Sequence, residues 1–266
     1  MTQSPEILTE RVGQVTLLRY LAPTPGVMTA YGAKLLLAAT REALADGDIG
    51  AIVFAGGNDG VFIRHYDLGA IVKSANALRS GQATLEAFLT ADFAALTDLV
   101  AAAPVPFVAA INGICMGGGF ELALACDLRV AQLNVEHIGL PEIRAGIFPG
   151  GGGTQRLAGL VGVAAATDMM LRGTTVCARR AYELGLVGEL AEDAVAVAMR
   201  IAGELAARNR DAIAAIKTLI RQSMPVAADG LTAERIAFAT HLRDSDEAVS
   251  TMRALLASGT MHENAP

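Results

Sequence analysis

The sequence predicts an α/β protein in which ββα or βαβ units share one layered sheet, followed by a purely helical segment. Three observations predict it. Short apolar runs of β type alternate with helical periodicity through the first two thirds of the 266 residues. After about residue 200 only helical patterns remain. The apolar excess is also small and aliphatic: 53% of residues are hydrophobic but 5% aromatic, with 28 Gly and no Trp, which suits layers whose backbones approach closely.

Candidate strands are 15–18, 51–54, 107–111 and 128–131. Helical periodicity covers 34–45, before Asp46-Gly47-Asp48, and 85–102, where Leu85, Phe88, Leu89, Phe93, Leu96, Leu99 and Val100 recur near 3.6 residues until Pro104. The later helices are expected at 201–207, 212–223, 231–242 and 247–257, with breaks at Pro225 and Gly230. This divides the chain into a core, 1–200, and a helical appendage, 201–266.

The net charge is −6, and no stretch gathers Lys and Arg as a phosphate backbone requires, which argues against nucleic acid as a partner. The longest apolar run, 99–111, contains Pro104 and Pro106 and is too short to cross roughly 30 Å of hydrocarbon. No membrane span is expected. The first residues lack a basic region followed by an apolar one, so a cytoplasmic location is expected. Cys115, Cys126 and Cys177 contain no C-x-x-C pair and fit reduced thiols. His65, His137, His241 and His262 show no metal-ligand spacing, and no G-x-S-x-G, phosphate-loop, G-x-G-x-x-G or H-E-x-x-H motif occurs. No metal is expected.

What remains is 104–127, a strand, a glycine turn (Gly117, Gly118, Gly119) and an apolar helix. Uncovered N–H groups at such a helix start can stabilise a developing oxyanion. Glu121, in its first turn, is either a helix-start charge or a proton-transfer group. Glu142 follows 21 residues later, before a second glycine-rich stretch. A helix, a short strand and a loop fit between them, so the chain can return Glu142 to the first turn, where two acids facing one water would suit general acid/base chemistry. A surface loop carboxylate is the alternative reading of Glu142.

The segments PVPFVAAINGICMGGGFELALACDL at 104–128 and LPEIRAGIFPGGGGTQRL at 140–157 resemble the enoyl-CoA hydratase/isomerase (crotonase) superfamily, and the match extends through LRGT at 171–174 and AYELGLV at 181–187. The resemblance implies a crotonase-like spiral of ββα units holding the active site in 1–200, with 201–266 as a helical trimerisation region. It implies an acyl thioester held in an oxyanion hole, whose backbone donors match Gly118 and Arg64, while Glu121 and Glu142 hold a water and exchange protons with Cα. CoA would enter as part of the substrate, with no separate cofactor. The expected reaction is hydration of an enoyl-CoA. The alternatives are a crotonase-fold isomerase or C–C hydrolase on an atypical substrate, and a catalytically silent oligomeric binding module.

The sequence departs from the family at 60–68, where a pattern like F-S-A-G-x-D-L is usual. His65 replaces the usual glycine, at a steric cost if that backbone has positive φ. His65, Tyr66 and Asp67 are candidate substrate contacts or, alternatively, packing residues. Gly69 stands where many members carry Lys, leaving Arg253 and Lys217, each either a solvated helix charge or a phosphate ligand. Thr154 reads as a helix cap, with Pro149 and Gly150 as pocket wall. A homotrimer or dimer of trimers is expected through Ile201, Leu205, Ile213, Ile216, Leu219 and Ile220.

Overall fold

The computed structural model describes residues 4–223 and 228–259. The N-terminal half contains β1 (Glu6–Val12), β2 (Val15–Leu21), β3 (Val27–Met28), α1 (Ala30–Ala45), β4 (Ala51–Gly56), β5 (Val61–Ile63), β6 (His65–Tyr66), α2 (Leu68–Arg79), α3 (Leu85–Leu89) and α4 (Asp92–Ala102). Next come β7 (Phe107–Ile111), β8 (Ile114–Met116), α5 (Gly118–Ala125), β9 (Leu128–Gln132), β10 (Ile138–Gly139), a 3-10 turn (Glu142–Ala145), α6 (Gly153–Val161), α7 (Val163–Arg172), β11 (Thr175–Val176), α8 (Ala178–Glu183) and β12 (Glu189–Ala191). Four helices finish the chain: α9 (Ala194–Ala206), α10 (Arg210–Ser223), α11 (Ala228–Asp244) and α12 (Asp246–Ser258).

One sheet has the order β1-β2-β4-β7-β9-β12; a smaller one runs β11-β10-β8-β5, and β3 pairs with β6. Every residue of β4 and β7 is buried, which is why they read as continuous apolar runs and not as alternating ones. They pair in parallel, Ile52 opposite Phe107. One face of the sheet carries the main core, including Leu36 and Leu37 of α1, Leu96 and Val100 of α4, and Phe120 and Leu122 of α5. The other face is covered by α9, whose Ala194, Ala198, Ala202 and Ala206 fall at a spacing of four and lie on Val15, Leu17, Val53 and Val108.

That methyl-only face explains why the sequence reveals only the second half of α9: alanine burial gives no strong apolar period. The boundary expected at 200 falls inside this helix. The expected helix 85–102 is two helices. Thr90 Oγ1 donates to Glu86 O and Ala91 turns extended, so the chain bends between Phe88 and Phe93. The helix expected from 34 starts four residues earlier, where Thr29 accepts from Gly32 N. The helix expected from 231 begins at Ala228 with Gly230 in its first turn and not at a break. Pro225 and His262 lie outside the described residues.

Several contacts tie the appendage to the core. Lys217, expected as a solvated helix charge or phosphate ligand, is buried: Nζ donates to Val105 O and to Asp127 Oδ2 at 2.6 Å, while Arg221 reaches Asp127 Oδ1 at 2.9 Å. Farther on, Phe238 and Leu242 of α11 and Val249 and Met252 of α12 pack with Leu68, Val72 and Ala75 of α2. Among the described residues no helix is long and apolar enough to cross a membrane, and no group of His, Cys, Asp and Glu could hold a metal ion.

Candidate active site

The turn from β8 into α5 needs glycine for two reasons. Gly117 sits at φ +51°, where L side chains are strained, and a Cβ on Gly119 would lie 2.0 Å from Ile63 O. With those two residues fixed, α5 starts against β6: the Cβ position of Gly118 is 3.5 Å from Tyr66 N, and that of Gly117 is 3.4 Å from Glu142 Oε1. One helical turn on, Glu121 is 4% exposed. Its Oε1 accepts from Gly151 N at 2.6 Å and Gly153 N at 3.0 Å. Glu142 opens the 3-10 turn, and its Oε2 is buried with no hydrogen-bond partner among the described residues.

Both carboxylates line one cavity of about 350 Å³. Burial pushes the Glu121 carboxyl up to about 7, helped by the negative charge of Glu234 and opposed by the two amides. Burial and then the charge of Glu121 hold Glu142 well above the usual carboxylate range. The charge of Glu121 thus disfavours ionisation of Glu142, while the charge that disfavours ionisation of Glu121 is that of Glu234.

His65, Tyr66, Gly118 and Gly150 line this cavity with the two acids. His65 has no steric penalty there, since among the described residues only glycines have positive φ. Arg64, Asp67 and Pro149 are not on it. Arg64 N donates to Gly26 O at 2.8 Å, turning that amide toward β3 and away from α5. Asp67 caps α2 by accepting from Gly69 N at 2.8 Å, and Pro149 packs beside Gly153. Thr154 is not the cap of α6. That position is Gly152, while the Thr154 N–H and hydroxyl both donate to Glu234 Oε2. Arg253 reaches Asn76 Oδ1 at 3.2 Å.

Sequence reasoning missed the aromatic wall and the contribution of α11. Phe88, Phe93, Phe148, Phe238 and Tyr66 gather on this cavity in a chain with only 8 Phe and 4 Tyr. Rings of Phe148 and Phe238 meet edge to face at 5.5 Å, and Tyr66 lies 5.4 Å from Phe93. Arg235, Phe238, Leu242 and Leu255 come from the segment after 200, so the appendage closes its own chain's site. One signal was present: Glu234 shares a helix face with Phe238 and Leu242 at a spacing of four, a carboxylate inside an apolar stripe.

A buried carboxylate pair beside a glycine-opened helix start, on one cavity of a mixed α/β chain with a helical end, has the architecture of the crotonase fold. The sequence matches the enoyl-CoA hydratase/isomerase family over residues 29–255, and the chain belongs to that family. It is 39% identical over 174 residues to the fatty acid oxidation complex subunit alpha of Shewanella halifaxensis, which covers 64% of this chain but 24% of that protein. The chain thus spans about a quarter of the length of that relative. Among solved structures, DspI of Pseudomonas aeruginosa is similar with TM-score 0.71 and 28% identity, covering 90% of this chain and 96% of its own. An enoyl-CoA hydratase/isomerase from Mycobacterium paratuberculosis shares the fold at TM-score 0.82 and 21% identity, covering 94% and 98% respectively.

Proposed function

We propose that the protein is an enoyl-CoA hydratase, adding water across the α,β double bond of an acyl-CoA thioester. The observation that carries this reading is the pair of carboxylates with unlike surroundings on one apolar cavity. Glu121 is anchored through one oxygen by two amides, and Glu142 keeps an oxygen buried and unpartnered. Such a pair can hold one acid and one base at neutral pH. Glu121, as carboxylate, takes a proton from water as the water oxygen bonds to Cβ. Glu142, as acid, gives its proton to Cα. The negative charge passes through the thioester oxygen, and one proton moving from Glu121 to Glu142 restores the resting pair.

The thioester oxygen needs backbone donors. Gly118 N–H, at the start of α5, is one. For the second we assign Tyr66 N–H instead of Arg64 N–H. The Arg64 and Asp67 amides donate to Gly26 O and Met28 O, so both face β3. Arg64 precedes β6 and lies outside its register, whereas Asp67 is adjacent to Tyr66, so alternation turns the Tyr66 amide to the side opposite that of Asp67, and the Cβ position of Gly118 lies 3.5 Å from Tyr66 N. CoA arrives as part of the substrate. A homotrimer or dimer of trimers belongs to the same reading, supported by the apolar face of α10, where Ile216, Leu219 and Ile220 are 56%, 64% and 55% exposed. Loss of the conjugated thioester absorbance of crotonyl-CoA on adding enzyme tests the activity. Absence of that loss, with conversion of a β,γ-enoyl-CoA to its α,β isomer, would replace hydration by isomerisation.

A further inference from the structure

Four consecutive amides, from Gly151 to Thr154, enter α6 without a side-chain cap of their own. They are shared between two buried carboxylates in strict alternation. Gly151 N and Gly153 N go to Glu121 Oε1, at 2.6 and 3.0 Å. Gly152 N goes to Glu234 Oε1 at 2.5 Å, and Thr154 N goes to Glu234 Oε2 at 2.8 Å, joined there by the Thr154 hydroxyl. Glu234 is 5% exposed and stands on α11, outside the segment that carries the reacting acids.

We infer that Glu234 is a positioning residue for Glu121: by fixing the alternate amides of this segment it aims the other two at Glu121 Oε1 and places a second negative charge behind that carboxylate. This rests on the reading of Glu121 as the base that activates water. The geometry allows little else for Glu234. Among the described residues no lysine or arginine hydrogen-bonds to it, and its oxygens accept from the loop. Arg156, two residues past the loop, donates to Gly151 O at 2.6 Å and lies 3.6 Å from Asp98. Arg235 forms a two-pronged pair with Asp98, at 2.8 and 2.6 Å. The charged and titratable groups on this cavity or acting on Glu121 are therefore Glu142 and Arg144 from the 3-10 turn, Arg156 from α6, Glu234 and Arg235 from α11, Asp98 from α4, and His65 and Tyr66 from β6. Of these, Glu234 is the one that shares a continuous run of amides with Glu121. Its charge opposes ionisation of Glu121, as burial does.

A plain structural cap would stabilise α6 and leave the titration of Glu121 alone. A positioning role moves it. The test is infrared difference titration of the protonated carboxyl band, assigned to Glu121 by its loss in E121Q, in the full-length protein and in E234Q. The Gln variant removes the charge and keeps one acceptor for Gly152 N, while its amide nitrogen can donate to the Thr154 hydroxyl but forfeits the bond from Thr154 N. Glu121 should titrate near 7 in the native protein and about one unit lower in E234Q. E234D, which keeps the charge on a shorter stem, should hold the midpoint within a few tenths of the native value while lowering kcat more than it changes KM. A melting temperature lowered by E234Q with the Glu121 midpoint unmoved would make Glu234 a helix cap only and overturn the inference. If E234Q fails to fold, E234D decides: a midpoint shifted with kcat unchanged overturns it as well. The band is read without turnover, so an enzyme that proved not to hydrate enoyl thioesters would still report on the pairing.

Discussion

Glu142 and Glu121 meet the same cavity in opposite conditions: Glu142 has a buried oxygen that accepts nothing from the described residues, while Glu121 is moored by two amides of a glycine-rich helix start. An unpartnered buried carboxylate oxygen is costly unless the group carries a proton, and this asymmetry supports the proposed roles of Glu142 as acid and Glu121 as base.

Replacing Glu142 by Gln keeps the shape and removes the transferable proton. We expect kcat on crotonyl-CoA to fall by about two to four orders of magnitude with KM changed little. Steady-state kinetics checks it, and unchanged turnover removes Glu142 from the mechanism.

The pH dependence of kcat/KM should rise as Glu121 loses its proton near 7 and fall at higher pH as Glu142 loses its own. In E121Q the acidic limb should vanish from whatever activity remains.

The raised pKa of Glu121 also makes a stability prediction. The ordinary carboxyl value is 4.5 and the folded value about 7, so the folded chain binds more protons between them and stability declines as pH rises through that window. E121Q keeps acceptors for Gly151 and Gly153 without the buried charge. Its Tm should exceed the native one by about 2–5 °C at pH 8, and the difference should shrink toward zero below pH 4.5. Calorimetry at the two pH values decides it; a lower Tm at pH 8 contradicts the account.

Arg64→Ala changes only a side chain that does not line the cavity and should leave kcat nearly intact. Tyr66→Pro deletes the proposed donor and should cost about two to three orders of magnitude in kcat. Tyr66→Ala separates loss of the ring from loss of the N–H.

Light scattering should give a trimeric or hexameric mass, and Ile216→Glu with Leu219→Glu should reduce it by placing charge on the exposed face of α10. A native monomer at micromolar concentration contradicts the proposed assembly.

The strands 107–111 and 128–131 and the approach of Glu142 to the Gly117 turn were legible because buried parallel strands and glycine turns leave strong local marks. Helix α2 was not, since its small residues obscure the period, and β1 was not, since its edge position leaves most side chains exposed. The direction of the Arg64 amide, expected as an oxyanion donor and found on Gly26 O, was not legible for a different reason. Which way an amide points depends on the partner strand β3, and no property of the Arg side chain records it. The roles of Glu234 and Phe238 depend on α11 folding back over residues far earlier in the chain, a packing that local periodicity does not encode.

The most direct test of the two-carboxylate account is turnover of crotonyl-CoA in deuterium oxide enriched in oxygen-18, read by mass spectrometry. The account predicts a 3-hydroxyacyl-CoA carrying one heavy oxygen at Cβ and one deuterium at Cα, formed by the native enzyme and suppressed about a hundredfold or more in both E121Q and E142Q. Deuterium entering without oxygen, or full activity in either variant, would contradict it.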